Sequence, residues 1–238
     1  MDPSPIDWAA VEALSFDCYG TLIDWEAGIS ATLRPLFVAV GRGASDDDLL
    51  AAYAAHEARL ERAPWLPYRR VLAEALAAVC ADHDVPVPPQ VRAGLGGSVA
   101  DWPAFGDSAA ALARLRTKFE LAVITNCDDD LFAFSDARLG RPFRWRVTAE
   151  QVHSYKPARR NFEVALERIG RPAAKVVHVA QSLYHDHVPA AALGLATVWV
   201  NRRHDRSGFG ATLAASAAPA LVVPDMATLA TMALDGSS

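Results

Sequence analysis

The stretch that decides the fold is Ala13-Leu-Ser-Phe-Asp17-Cys-Tyr-Gly20-Thr-Leu-Ile-Asp24. An apolar run ends at the carboxylate of Asp17, and a turn that contains Gly20 follows at once. This pattern predicts that Asp17 lies at the carboxyl end of a strand, where open α/β sheets place their reacting groups. A strand that ends in a turn-forming aspartate is also common, so the interpretation depends on what the rest of the chain adds.

Two patterns follow this stretch along the chain. Between Asp24 and about residue 100 the apolar residues recur at helical spacing, which predicts helices and no strand. Beyond Trp102, predicted strands alternate with predicted helices, and this alternation favours an α/β fold with a doubly wound parallel sheet. The helical block interrupts that alternation after the first strand. We therefore expect a core domain formed by residues 1–23 and 101–238 and an inserted all-helical domain formed by residues 24–100.

The totals of the sequence exclude several classes of protein. The chain has 238 residues, of which 52% are hydrophobic, and its formal net charge is −5. It can therefore build a sizeable core, and it lacks the basic field that nucleic acids or anionic membranes require. Its start, MDPSPIDWAAVEA, lacks the basic and apolar regions of a secretory signal. The three scattered cysteines form neither a disulfide framework nor a metal motif. We expect a cytoplasmic protein without a nucleic-acid or membrane partner.

Polar residues follow several of the predicted strands. They are Asp17 with Thr21, Thr125 with Asn126, and Gln181 and Ser182 with Asp186, and Lys156 stands in a loop before a helix. Because the carboxyl ends of parallel strands meet at one edge of a sheet, we expect these side chains to converge. Lys156 would keep Asp17 ionised through its opposite charge. The hydroxyl and backbone N–H groups would bind an anionic substrate. The arrangement predicts a carboxylate nucleophile.

Taken in order, these motifs resemble those of the haloacid dehalogenase (HAD) superfamily over nearly the whole chain. The first motif is matched by Asp17-Cys-Tyr-Gly-Thr-Leu22, the second by Thr125-Asn126, the third by Lys156-Pro157, and the fourth by Val179 to Asp186. The resemblance implies a Rossmann-like core with a helical cap domain inserted after the first strand. It also implies that Asp17 is the nucleophile.

Two positions distinguish the branches of this superfamily. Its phosphatases carry a second aspartate two residues after the nucleophile, as the acid for the leaving alcohol, and here that position is Tyr19. They also bind Mg²⁺ through an aspartate where this chain has Gln181, a neutral amide that suits a hard dication poorly. A halide leaving group needs neither a proton nor a metal. The Asp-X-Tyr-Gly-Thr-Leu form is similar to that of the L-2-haloacid dehalogenases, so we expect no metal and no cofactor.

The resemblance implies a mechanism in two steps. Asp17 displaces halide from a short 2-haloacid and forms an aspartyl ester, and water then attacks the ester carbonyl. Asp186 is the candidate base for that water, and Lys156 holds Asp17 and steadies the developing charge. Orientation of the nucleophile or substrate binding is assigned to Cys18, Tyr19, Thr21, Thr125, Asn126, Gln181 and Ser182.

One expected residue is missing from the predicted cap. The dehalogenases resemble one another in a cap-helix arginine at the halide, but here Tyr53 or Ala54 falls at that place. The candidates for a different halide site are Trp25, His56, Arg59, Tyr184 and His185. Two alternatives stay open: a Mg²⁺-dependent small-molecule phosphatase and a non-catalytic binding protein of the same fold. The expected partner is a small haloacid, and the alanine-rich helices are compatible with a homodimer.

Overall fold

The computed structural model describes residues 6–235, and its centre is a six-stranded parallel sheet. The strand order is β3-β2-β1-β4-β5-β6, and every neighbouring pair is parallel. The strands are β1 (Ala13–Phe16), β2 (Glu120–Thr125), β3 (Trp145–Thr148), β4 (Val176–Ala180), β5 (Ala196–Val200) and β6 (Leu221–Val223). The predicted doubly wound α/β fold is therefore confirmed. The first five residues of the N-terminal stretch interpreted above lie outside the described part.

The described residues form ten α-helices. They are α1 (Trp25–Ala39), α2 (Asp46–Glu61), α3 (Tyr68–Asp82), α4 (Pro89–Ser98), α5 (Ser108–Leu115), α6 (Asp129–Arg138), α7 (Ala149–Val152), α8 (Arg159–Ile169), α9 (Val188–Ala192) and α10 (Met226–Asp235). The first four lie between β1 and β2, and residues 24–100 are called the helical segment below. Among residues 6–235, no helix is both long and apolar enough to span a bilayer.

Side-chain caps fix where the first two helices begin. The Asp24 side chain accepts a hydrogen bond from the Ala27 N–H (3.0 Å), and the Ser45 hydroxyl accepts one from the Asp48 N–H (3.1 Å). Each cap satisfies one of the N–H groups that a helix start leaves unpaired. Aspartate and serine are among the residues preferred at this position.

The chain after β4 enters a π-helical turn before its next α-helix. Leu183–His187 forms one π-helical turn, and α9 follows it directly. The Ser182 hydroxyl caps this turn, since it accepts a hydrogen bond from the His185 N–H (3.0 Å). Single π-helical turns are rare and concentrate at functional sites. The turn brings His185 and Asp186 to the carboxyl edge of the sheet.

Trp102 joins the helical segment to the sheet. It is buried, and its ring meets the ring of Tyr19 edge-on, with 5.7 Å between the ring centroids. The Trp102 ring also packs against Gly28 of α1. A Cβ added to Gly28 would overlap the indole ring. The absence of a side chain at Gly28 is therefore what lets α1 approach Trp102.

We expect Gly28→Ala to lower the free energy of unfolding by about 1–3 kcal/mol, because a methyl group would be forced against a rigid buried ring. Urea denaturation followed by tryptophan fluorescence measures this loss. Gly94→Ala is the matched control, since Gly94 also lies inside a helix but has open space around its Cα. That control should be neutral or slightly stabilising. Equal stability of the two variants would contradict the assigned role of the Gly28–Trp102 contact.

Polar contacts also attach the helical segment to the rest of the molecule. The Asp128 side chain accepts hydrogen bonds from the backbone N–H groups of Tyr68 (2.8 Å) and Arg69 (3.0 Å), the first two residues of α3. The cap position of α3 itself is Pro67, which provides no side-chain cap. The start of α3 is thus capped by a residue that follows β2.

A second polar attachment comes from the loop after β5. The Arg203 guanidinium lies 2.7 Å from the Glu26 carboxylate of α1 and 2.7 Å from the Asp47 carboxylate of α2. The Glu26 carboxylate also accepts a hydrogen bond from the Ala211 N–H at 2.9 Å. The loop after β5 therefore binds both of the first two helices.

Candidate active site

Asp17 lies one residue beyond β1, with its carboxylate turned into a buried cavity. The Thr21 hydroxyl donates a hydrogen bond to its Oδ2 (2.7 Å), and the Lys156 ammonium donates one to its Oδ1 (2.8 Å). The turn that follows requires Gly20, whose φ is +90°. A Cβ there would also lie only 3.1 Å from Trp25 Nε1. The local turn therefore fixes the Asp17 side chain relative to both of its donors.

Lys156 is the centre of the site and is buried. Its ammonium donates three hydrogen bonds, to Asp17 Oδ1, to Asp186 Oδ1 (2.7 Å) and to the Ile124 carbonyl (2.9 Å). Asn126 fixes the backbone of Lys156 from both sides, with its Oδ1 accepting from the Lys156 N–H (2.7 Å) and its Nδ2 donating to the Lys156 carbonyl (3.0 Å). Burial opposes the charged ammonium, but the two carboxylates outweigh it and raise the pKa of Lys156.

The two carboxyl groups that share Lys156 differ in their protonation behaviour. Burial raises the pKa of Asp17, although Lys156 and Thr21 act in the opposite direction. Burial also works against the charge of Asp186, but Lys156 and His178 outweigh it and hold the pKa of Asp186 well below its usual range. Asp186 is thus a stabilised anion, whereas Asp17 keeps the more basic carboxylate. Opposite shifts of this kind separate the roles of paired carboxyl groups.

His178 belongs to this network, and sequence reasoning missed it. Its Nε2 lies 3.0 Å from Asp186 Oδ1, and its Nδ1 lies 2.9 Å from the Ser15 hydroxyl. His178 on β4 is directly opposite Ser15 on β1. Ser15 and His178 are polar residues inside two strands whose other residues are apolar. Because buried polar groups need hydrogen-bond partners, this pattern could have indicated that the two side chains belong to a polar network.

The cavity beside Asp17 has a volume of about 30 Å³. Among the predicted site residues, those that line it are Asp17, Tyr19, Trp25, Asn126, Lys156, Gln181, Ser182, His185 and Asp186. The helical segment adds Glu57, Glu61 and Tyr68, which sequence reasoning missed. Because one water needs about 10–15 Å³, the cavity has room for only a few water molecules.

Three predicted binding residues do not reach the cavity. Thr21 acts on its neighbours instead, because its hydroxyl donates to Asp17 and accepts from the Gln181 N–H (2.9 Å). Thr125 is buried, and its hydroxyl has no hydrogen-bond partner among residues 6–235. Cys18 is packed in the apolar core, and the substrate-binding hypothesis for it is therefore corrected.

The halide candidates are divided by the structure. Trp25 and His185 line the cavity, whereas Tyr184 contacts the His185 ring (4.8 Å between centroids) and lines a separate surface depression. His56 bonds to Asp82 of α3 (2.6 Å), and Arg59 is exposed and lies 3.4 Å from the His56 ring. His56 and Arg59 lie on a different face of α2 from the cavity, so we withdraw the halide hypothesis for both.

Tyr19 contributes its ring to the cavity wall and directs its hydroxyl elsewhere. The hydroxyl oxygen lies 3.0 Å from the Ser135 hydroxyl and accepts a hydrogen bond from the Cys127 thiol at 3.4 Å. Burial raises the pKa of Tyr19 well above its ordinary value. The residue at the phosphatase acid position is therefore engaged in the core.

The wall contributed by α2 is acidic where an arginine was expected from the resemblance. Glu57 is buried, and its Oε1 accepts hydrogen bonds from the hydroxyls of Tyr53 (3.2 Å) and Tyr68 (3.0 Å). Burial, with the charge of Glu61 added, raises the pKa of Glu57 well above its ordinary value. Glu61 accepts a hydrogen bond from Asn126 Nδ2 at 3.0 Å. Positions 53, 57 and 61 are spaced four residues apart, so the sequence places their side chains on one face of α2.

The surroundings of Asp17 do not suit a magnesium ion. Both oxygens of Asp17 already accept hydrogen bonds, one from the Thr21 hydroxyl and one from the Lys156 ammonium. The nearby Gln181 offers a neutral amide, whereas a hard dication prefers a carboxylate. Across residues 6–235, no group of three or more histidine, cysteine, aspartate or glutamate side chains is placed to hold a metal.

Comparison with known proteins gives a family and a fold. A family model described as a haloacid dehalogenase-like hydrolase matches residues 11–193. A curated relative from Danio rerio, haloacid dehalogenase-like hydrolase domain-containing protein 3, is 31% identical over 105 residues. That match covers 43% of each chain, so it spans less than half of the relative.

Two solved structures are similar over nearly the full length. The L-2-haloacid dehalogenase from Xanthobacter autotrophicus, with chloropropionic acid covalently bound, gives a TM-score of 0.77 at 19% identity and covers 96% of this chain and 100% of its own. The putative HAD-hydrolase YfnB from Bacillus subtilis, bound to magnesium, gives a TM-score of 0.75 at 18% identity and covers 94% and 99%. At this identity both likenesses establish the fold alone.

Proposed function

The chain belongs to the haloacid dehalogenase-like hydrolases, and from this premise we propose that it hydrolyses the carbon–halogen bond of short 2-haloacids through an ester on Asp17. The observation that carries the proposal is the buried carboxylate of Asp17, held by Lys156 and Thr21 at the wall of a small cavity. No proton donor stands at position 19, because the Tyr19 hydroxyl is turned into the core. This combination favours a leaving group that departs as an anion.

The first step is a displacement at carbon. A carboxylate oxygen of Asp17 attacks the carbon that bears the halogen, a carbon–oxygen bond forms, and the halide leaves with the bonding electrons. A chiral carbon is inverted. The buried ammonium of Lys156 orients Asp17 and keeps it ionised, and the small cavity excludes the bulk water that would compete for the substrate.

The second step regenerates the carboxylate. Water attacks the carbonyl carbon of the Asp17 ester, the 2-hydroxyacid leaves, and one oxygen of the water remains in Asp17. Lys156 stabilises the negative charge that develops on the carbonyl oxygen. We also propose that the helical segment acts as a cap domain over the core, since a substrate larger than a few waters can enter only if a cavity wall moves.

A specific observation favours a second class of substrate. Lys156 is the one lysine or arginine that lines the described cavity, whereas the wall includes Glu57 and Glu61 as well as Asp17 and Asp186. Protonation of Glu57 removes one of these charges and leaves a donor for a substrate carboxylate. The remaining negative charge suits an uncharged haloalkyl compound, such as chloroacetamide, which we propose as the second substrate class.

Halide release in the presence of EDTA tests the proposal. We expect chloroacetate or L-2-chloropropionate to yield chloride at a rate that EDTA does not change, because the proposed chemistry uses no metal. A chloride electrode measures the rate, and chloroacetamide is assayed in parallel to decide between the two substrate classes. Loss of activity in EDTA, together with turnover of p-nitrophenyl phosphate, would instead support a Mg²⁺-dependent phosphatase. Absence of both activities would support a binding protein.

A further inference from the structure

Several buried polar atoms without a hydrogen-bond partner border the same cavity. Among the described residues they are Glu61 Oε2, His185 Nε2 and Asp186 Oδ2. Buried polar atoms are nearly always paired, and unpaired ones in a native structure require an explanation. Their convergence on a space large enough for water indicates a polar occupant that all three can bind.

Two of these atoms, on Glu61 and His185, lie close to each other. Glu61 Oε2 and His185 Nε2 are 3.5 Å apart, and their side chains are only 4% and 11% exposed. Glu61 is the last residue of α2, and His185 lies in the π-helical turn after β4. The pair therefore forms only where the helical segment meets the sheet edge. Its separation is too long for a direct hydrogen bond, and a water beside it can bond to both atoms.

We assign His185 the tautomer that leaves Nε2 free, which its hydroxyl neighbours accommodate. Its Nδ1 lies 3.2 Å from the Ser182 hydroxyl, and that hydroxyl lies 2.8 Å from the Thr212 hydroxyl. When Ser182 donates its single proton to Thr212, it accepts from the His185 Nδ1–H. The lone pair of the imidazole then lies on Nε2, toward the cavity. Such a network fixes which ring nitrogen carries the proton.

We propose that His185, assisted by Glu61, holds and deprotonates the water that hydrolyses the Asp17 ester. This inference rests on the proposed function and replaces Asp186, which the sequence favoured as the base. Lys156 and His178 both bind Asp186 Oδ1 and stabilise the charge of this carboxylate, so its free Oδ2 can hold the water but accepts a proton from it weakly. A stabilised anion of this kind is a weak base.

The step balances when one proton leaves the site, because hydrolysis first regenerates Asp17 as the carboxylic acid. The water gives one proton to His185 Nε2 while its oxygen attacks the carbonyl carbon of the ester. The tetrahedral intermediate expels the substrate alkoxide, which takes that proton back from the imidazolium. Before the attack, Glu61 accepts a hydrogen bond from the second O–H of the water, and its carboxylate then stabilises the transient imidazolium. The second proton stays on the oxygen that enters Asp17, and its loss to solvent restores the carboxylate nucleophile.

His185→Gln separates the two steps experimentally. The variant is mixed with excess chloroacetate, or with chloroacetamide if that is the better substrate, and chloride and intact mass are followed together. We expect a burst of one chloride per chain and then a fall in steady turnover of about 10²–10⁴-fold, the usual contribution of a general base. The chain should gain the mass of the esterified group, and peptide mapping should place it on Asp17. Glu61→Gln should show a smaller effect of the same kind.

Three outcomes decide the proposal. His204→Gln, at an exposed histidine, is the matched control and should turn over like the parent. If the ester accumulates in Asp186→Asn but not in His185→Gln, Asp186 is the general base for the hydrolytic water and the inference is overturned. A His185→Gln protein with no burst would also overturn it, because His185 would then be needed before the second step. Absence of chloride release by the parent itself would remove the proposed function, and the inference with it.

Discussion

Asp17→Asn should lower halide release by at least about 10⁴-fold, the size of loss seen when a nucleophile is removed. The amide has the shape of the carboxylate but cannot supply the anion that displaces halide. The hydrogen bonds from Lys156 and Thr21 show how completely this one side chain is held for attack, since each carboxylate oxygen has its own donor. The measurement is chloride release under saturating haloacid, with far-UV circular dichroism to verify folding.

Asp136→Asn is the matched control for this variant. Asp136 is also buried and charged, but it pairs with Arg146 and does not line the cavity. It should keep most of the activity.

A single turnover of the parent in H₂¹⁸O should also place the label in the peptide that contains Asp17. Unlabelled Asp17 with normal chloride release would mean that water attacks the substrate directly, and the ester mechanism would be wrong.

Lys156→Met should destabilise the fold as well as the reaction. Methionine keeps most of the side-chain volume but leaves the carboxylates of Asp17 and Asp186 buried without their shared cation. Breaking a buried ion pair from one side costs about 3–5 kcal/mol, because the remaining charge stays desolvated. Urea denaturation at neutral pH measures the loss. We expect halide release to fall below detection in the same variant.

The direction in which the stability loss of Lys156→Met changes with pH tests whether the unpaired buried carboxylates cause it. Without Lys156, burial and mutual repulsion raise the pKa of both carboxyl groups above their unfolded values. Their ionisation then disfavours the folded state, so the deficit relative to the parent should shrink as the pH is lowered through the folded pKa values. Lys156→Met combined with Asp186→Asn should recover part of the stability at neutral pH. A deficit that grows on acidification would contradict this account.

Lys175→Met provides the reference for a lysine at the surface. Lys175 pairs with Glu12, and its side chain is 43% exposed. Exposed pairs contribute about 0–1 kcal/mol, so this variant should unfold close to the parent. Similar losses for Lys156→Met and Lys175→Met would show that burial of the first pair has no special energetic role.

The fold could be predicted because its determinants are local. A strand that ends at Asp17, helical periodicity as far as residue 100 and the later alternation of strands and helices are all patterns within short windows of sequence. The caps at Asp24 and Ser45 are equally local. The four-residue helix α7 was missed, since one turn is too short to establish a period. The turn that places His185 was missed because π-helical geometry has no spacing signature.

The site was predicted where the sheet alone positions it. Asp17, Lys156 and Asp186 meet because parallel strands end at one edge, and no knowledge of side-chain packing is needed to infer this. Glu57 and Glu61 were missed because their position depends on which face of α2 turns toward the sheet. The apolar residues of α2 indicate which face is buried. His56 and Arg59 have side chains suited to halide binding, but they do not lie on that face.

The cap that Asp128 provides for α3 couples two events in the protein. The first two amides of α3 are bonded only while the helical segment rests against the sheet edge. Any opening that separates them removes two hydrogen bonds to a charged group, each contributing about 1.5–3 kcal/mol. In the cap motion proposed above, Asp128 would act as a latch, so that admission of a substrate and fraying of the first turn of α3 become one process. Hydrogen exchange at Tyr68 and Arg69 would therefore report how often the enzyme opens.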